Sequence, residues 1–161
     1  LAKLTFGMLM AVIWWSLHAL QLDEERAMHA VHEAKSAVDR AAHAAAQQVD
    51  RDLLELGILT LDPERAETTA YAYLQANLRL DDHFSPLPDS LFREQVRVER
   101  LEVIGSEQVF PFTYRNETYD YEVNLSRPGV VLIVHLAFPR LFGVLSPIEW
   151  DLKGAAEMVF P

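Results

Sequence analysis

The sequence predicts an α+β protein: a long N-terminal hydrophobic helix, a second, shorter helix, and then a C-terminal antiparallel sheet of four to five strands. Three observations carry that prediction. Residues 4–22 form an uncharged apolar run, apolar residues then recur at three- and four-residue steps as far as Leu56, and from Phe92 onward the period changes to two. The 161 residues are about one domain's worth of chain, half of them hydrophobic and a quarter charged, a balance that excludes a disordered tail or a low-complexity linker.

The first element is the greasiest. Residues 1–22 contain 16 apolar side chains, leaving only Lys3, Thr5, Gly7, Ser16, His18 and Gln21 outside that set. The run LTFGMLMAVIWWSLHALQL (4–22) carries no formal charge, and as a helix it reaches about 28 Å, close to the hydrocarbon thickness of a bilayer. Lys3 precedes it and Asp23, Glu24, Glu25 and Arg26 follow, so the positive-inside rule places the N-terminus in the cytoplasm and the body outside. Three readings fit this segment. A cleavable secretory signal has only a poor cleavage site at residues 16–19 and an over-long apolar region. A plain signal anchor is the second. The third is the core helix of a filament, in which Trp14 and Trp15, too deep for an interfacial belt, pack against protein. The residues expected to pack there are Leu4, Phe6, Met8, Leu9, Val12, Ile13, Trp14, Trp15, Leu17 and Leu20. Because the first residue is Leu1, the N-terminus reads as processed or trimmed.

The stripe continues through Ala27, Ala30, Val31, Ala34, Ala37, Val38, Ala41, Ala45, Val49, Leu53 and Leu56 with no proline or glycine, so one helix is expected from about residue 3 to residue 56, roughly 80 Å long. Gly57 is its expected C-terminal cap. The near-exclusive use of alanine between residues 27 and 46 permits close approach of a neighbour while burying little area per residue. The domain plan is therefore 1–22 as membrane or filament-core helix, 23–57 as its amphipathic continuation, and 58–161 as an α+β head.

The second helix opens at Asp62, which caps it, with Pro63 at the first helical position and Glu64 and Glu67 near its N-terminus. It ends near Leu80, and its apolar face is expected to be Ala66, Ala70, Tyr73, Leu74 and Leu78. Residues 81–90 read as a loop. In the strand region, Val96 and Val98 change parity with Leu101 and Val103, which predicts a bulge around Glu99 and Arg100. Phe110, Phe112 and Tyr114 alternate before Arg115-Asn116-Glu117-Thr118, and Tyr119, Tyr121, Val123 and Leu125 alternate after it, which predicts a hairpin. Residues 130–138, apolar except for His135, read as a central strand covered on both faces. Ile148, Trp150, Leu152, Ala156, Met158 and Phe160 form a last, half-exposed strand.

Charge and composition narrow the function. Lys3 is the only charged residue before Asp23, so the body is one charge more negative than the chain's net −10, with no Lys/Arg stripe for a nucleic acid. The absence of cysteine removes disulfides, thiolate zinc sites, iron-sulfur clusters and cysteine nucleophiles. No nucleophile elbow, P-loop or dinucleotide fingerprint occurs. Glu25, His29, His32 and Glu33 share a helix face but match no zinc motif, and they read as solvated surface. His135 reads as a hydrogen-bonded core histidine. Asn116-Glu117-Thr118 has the form of a glycosylation sequon at a hairpin tip, so Asn116 is a candidate for modification. The hairpin aromatics read as cross-strand packing, with a ligand-binding stripe as the minor alternative. No catalysis, metal or cofactor is expected.

An apolar N-terminal helix that runs into an alanine-rich stretch and then into a small sheet domain resembles the plan of type IV pilin-like subunits. In finer pattern the chain resembles the TadE-like proteins of tight-adherence pilus systems, through VDRAAHAAAQQVD (38–50), LDPERA (61–66) and the apolar region 139–148. The resemblance implies a structural subunit of an extracellular filament, a homopolymer inserted in the membrane before assembly and handled by pilus assembly machinery. The alternatives are a minor TadE-like pseudopilin and a membrane-anchored extracellular binding domain. Pilins of this superfamily typically carry a glutamate at the fifth mature position, where this chain has Thr5, so either Leu1 is not the processed terminus or register along the fibre is set differently. Physics offers a separate argument for a polymer: open contacts between identical subunits, with helices bundled side by side, would cover the greasy run and the alanine stripe together.

Overall fold

The computed structural model describes residues 1–140 and 146–159. Eight elements follow in order: α1 (Ala2–Ala45), α2 (Arg51–Glu55), α3 (Pro63–Leu78), β1 (Arg97–Ile104), β2 (Phe112–Asn116), β3 (Tyr121–Leu125), β4 (Gly129–Phe138) and β5 (Ile148–Glu157). The architecture is α+β, led by a single apolar helix 44 residues long, about 66 Å from end to end.

That helix stops eleven residues short of the Leu56 expected from its periodicity. The reason is tertiary: the backbone after Ala46 leaves the helix to pair with the chain entering α3. Asp50 N–H donates to Thr60 O at 3.0 Å and Asp62 N–H to Gln48 O at 2.8 Å, which makes a bridge between Val49 and Leu61. Asp50 then caps α2, its carboxylate accepting from the N–H groups of Asp52 and Leu53. Gly57 is a cap, but of α2. Its φ of +78° is the left-handed conformation that closes a helix, with Ile58 N–H donating back to Leu53 O.

α3 begins as the sequence predicts, with the Asp62 carboxylate accepting from Arg65 N–H at 3.1 Å and Pro63 in the first turn. Its buried face is Ala66, Ala70, Leu74 and Leu78; Tyr73, expected on that face, stands exposed.

The five strands divide into two sheets instead of joining one. β1, β4 and β5 form an antiparallel sheet in the order β1-β4-β5, and β2 and β3 pair only with each other. β4 is the buried centre, and its alternation sorts its neighbours. Leu132, Val134, Leu136 and Phe138 pack in one cluster with the alanines of α1, while Val131 packs with Ile104, Tyr114 and Leu125 under the hairpin. The result is three layers, with α1 and α3 on one face of the sheet and the β2–β3 hairpin on the other. The bulge falls where parity predicts, between Val98 and Arg100, and it keeps both Val98 and Leu101 turned toward the helices. The hairpin turn lies one to two residues later than expected, since β2 runs through Asn116 and Asp120 takes the left-handed conformation (φ 45°). Phe160 and residues 141–145, which include part of the apolar region behind the pilin-like resemblance, lie outside the described residues.

Gly154 of β5 lies directly against α1. A Cβ there would come within 2.9 Å of Val38 Cγ1 and 3.1 Å of Asp39 Oδ1. Gly154 therefore admits the helix surface where any side chain would wedge it away. Gly154→Val is expected to destabilise the head by roughly 1–3 kcal/mol through overpacking, read by urea unfolding of the full chain in detergent. Unchanged stability would show that the helix does not lie against that strand.

Candidate membrane and assembly surface

Burial divides α1 into two halves. Leu4, Phe6, Met8, Leu9, Val12, Ile13, Trp14, Trp15, Leu17 and Leu20 are all between 43% and 71% exposed. Burial starts abruptly at Asp23, which is 3% exposed, and continues along Ala27, Ala30, Ala34, Ala37, Val38, Ala41, Ala42 and Ala45, with Val31 half-buried. The first half is exposed apolar helix, and the second is the spine of the folded head.

The exposed half also disposes of its own polar groups. Thr5 Oγ1 donates to Leu1 O at 2.9 Å and Ser16 Oγ to Val12 O at 2.8 Å, each bonding back one turn along the helix. His18 Nδ1 meets Gln21 Oε1 at 3.1 Å, and its ring lies edge-on to Trp14 with centroids 4.2 Å apart. The hydroxyls and the His18–Gln21 pair thus find partners within the helix, as a segment immersed in lipid or in a dry helix bundle requires. Periodicity and hydropathy find the segment; this internal satisfaction needs side-chain positions.

The alanine stripe, for which the sequence leaves either a helix or a sheet as neighbour, is covered by α3, β4 and β5 of the same chain. Alanine brings these elements close to the helix axis, and an intersubunit contact through the stripe would require the head to come apart. The part of α1 that the head leaves uncovered is residues 1–22.

The remaining candidates are accounted for within the head. Tyr114 is buried, its hydroxyl donating to Glu102 Oε1 at 3.0 Å and accepting from Asn116 Nδ2 at 3.2 Å; Tyr119 OH donates to Glu99 Oε2 at 3.0 Å. Tyr114 and Tyr119 are thus pinned onto β1. Asn116 also braces its own turn, Oδ1 accepting from Thr118 N–H at 3.1 Å. His135 Nδ1 lies 2.8 Å from Asp151 Oδ1, its directly opposed residue on β5. His29 and His32 flank a shallow groove with Glu33, Ser36, Arg40 and Asn77. Among the described residues no group of three or more His, Asp or Glu side chains is placed to hold a metal. Comparison with protein-family models, curated proteins and solved structures finds no match.

Burial of the phenol is the main cause that raises the Tyr114 and Tyr121 pKa values above 10.0, and Tyr71 of α3 is pushed up to about 12 by burial and by its contact with Glu67. An acid whose pKa is raised on folding stabilises the fold below its unfolded pKa and loses that contribution as pH climbs to the folded value. The contribution of these tyrosines to head stability is therefore expected to be constant through neutral pH and to decline from about pH 10 upward. Ultraviolet titration of a Tyr73→Phe/Tyr119→Phe variant alongside circular dichroism checks this; half-ionisation of the remaining three phenols at pH 10 in a folded head would contradict it. Ala41→Glu, which buries a carboxylate between α1 and its covering elements, is expected to cost at least about 3 kcal/mol and to unfold the head even in dilute monomer. Normal melting of that variant would place the stripe in solvent.

Proposed function

We propose that the chain is a noncatalytic structural subunit of a pilus-like surface filament. Residues 1–22 hold it in the membrane before assembly and pack against the same segment of other copies afterwards. The observation that carries the reading is the bare apolar half of α1. It is long enough to cross a bilayer, none of its most apolar window is buried in the chain, and its hydroxyls bond to its own backbone. A helix of this composition is compatible with membrane insertion or with a signal sequence. The filament reading adds that Trp14 and Trp15, whose indoles sit deeper than an interfacial belt, acquire protein neighbours in the polymer.

Orientation follows from Lys3 on one side and Asp23, Glu24 and Glu25 on the other, which favour a cytoplasmic N-terminus and an outward-facing acidic head. The partners are further copies of this chain, the membrane and an assembly machinery, whether the chain is the main subunit or a minor TadE-like one. Retention as a membrane-anchored binding domain is the contrasting reading. The pinned hairpin aromatics argue against it, because Tyr114 and Tyr119 spend their hydroxyls on β1.

Electron microscopy of the native protein is the test: fibres support the proposal, and monodisperse detergent particles overturn its filament part. Ile13→Asp is expected to cost membrane insertion about 3 kcal/mol, shifting the chain toward the soluble fraction and abolishing fibres while the head still folds. Fibres at normal yield from that variant would remove residues 1–22 from the contact.

A further inference from the structure

The three-stranded sheet ends in two open edges. β1 and β5 flank β4, and among the described residues neither is paired on its outer side. Both run antiparallel to β4, so they run parallel to each other. Pairing through β4 sorts their side chains by face. On the face away from the helices β1 presents Arg97, Arg100 and Glu102, and β5 presents Glu149, Asp151 and Lys153. The bulge makes the first row, since it steps over Glu99 and brings Arg97 and Arg100 to successive positions on one face. The rows read plus, plus, minus on β1 and minus, minus, plus on β5. All these residues are exposed except Lys153, which is half-buried. Arg97 Nε donates to Glu99 Oε1 at 3.1 Å, Glu102 accepts from the Tyr114 hydroxyl, and Asp151 lies 2.8 Å from His135. Among the described residues the side chains of Arg100, Glu149 and Lys153 make no ion pair or hydrogen bond.

We infer that these edges are the two sides of one contact between copies of this chain. β5 of one copy lies beside β1 of the next, in the register that sets Glu149 beside Arg97, Asp151 beside Arg100 and Lys153 beside Glu102. The inference rests on the filament reading of the proposed function, because packed stems point every copy the same way and so present β5 and β1 to each other in parallel. Charge on an edge ordinarily blocks pairing, and here it disfavours every register but one. With the next copy level, Arg100 meets Lys153; displaced two residues toward Glu157, Arg97 meets Lys153 and Glu102 meets Glu157. Displaced two residues toward Ile148, every pair is of opposite sign. Odd displacements turn the rows to opposite faces. An edge paired with its own twin runs antiparallel and, centred on the row, sets Arg100 on Arg100 or Asp151 on Asp151. The favoured contact is therefore heterologous and repeats without closing, each copy stepping about 7 Å along the strands. Exposed ion pairs and a short ladder contribute little by themselves, so heads without stems stay apart. At the high effective concentration that bundled stems create, the contact fixes the register between copies.

The chain has no cysteine, so engineered thiols report this contact cleanly. Within one copy, positions 102 and 153 lie on opposite edges of the sheet, two strand spacings or about 10 Å apart, beyond the reach of a disulfide. Full-length Glu102→Cys/Lys153→Cys, assembled and then oxidised, is expected to give a ladder of covalent multimers on a non-reducing gel. Glu102→Cys/Ala155→Cys, which reports the level register, is expected to give several-fold less. Fibres of both variants without a ladder overturn the edge contact and leave the filament reading standing; a stronger ladder from the second variant overturns the register. Arg100→Glu and Asp151→Lys each set like charges side by side, and each is expected to cut fibre yield about tenfold. Mixing the two is expected to restore it, because alternating copies then match. Full yield from either alone, or no rescue in the mixture when both heads are folded by circular dichroism, overturns the contact. A wild-type chain that forms no fibres overturns the filament reading and the contact with it.

Discussion

Everything in this fold depends on how closely α1 approaches the rest of its own chain. Alanine at the buried positions of the helix and glycine at position 154 of β5 remove the side chains that would hold helix and sheet apart. Leu132, Val134, Leu136 and Phe138 from β4 and Leu74 and Leu78 from α3 then supply the bulk. The hydrophobic area comes from the covering elements and the proximity from the helix. This explains how an alanine-rich surface, which buries little per residue, can be the spine of a head.

The same contact divides one continuous helix between two environments. From Asp23 to Ala45 its apolar face is consumed inside the head; before Asp23 its large apolar side chains stand exposed. A helix carries backbone hydrogen bonding across that boundary without interruption, so the change of surroundings needs no hinge. The head is a rigid continuation of the stem, and whatever sets the direction of residues 1–22 sets the direction of the head.

Much of this was legible because the signals are local. Asp62 with Pro63 marks a helix start by hydrogen-bonding capacity and fixed φ, and the parity change across Glu99 and Arg100 marks a bulge through the pleat itself. The apolar run of β4, interrupted only by His135, announced a strand covered on both faces. The misses are non-local. Nothing in the residues around Ala46 breaks a helix, and the chain leaves it only because residues 48–50 pair with residues 60–62. The split into two sheets depends on which strands meet, which alternation alone does not specify. For the candidate surface, periodicity located both halves of α1 but gave no means to tell a stripe covered by its own chain from one awaiting another copy. That distinction required the position of Gly154 against Val38.

The central claim is that the head is complete in itself and that residues 1–22 carry what joins the chain to membrane and to other copies. Removing residues 1–22 and measuring the mass and fold of the remainder together, by light scattering during size exclusion and by amide NMR, tests it most directly. The account predicts a detergent-free monomer with a dispersed, native-like spectrum and no tendency to assemble. A truncated chain that unfolds, or that still polymerises, would contradict it.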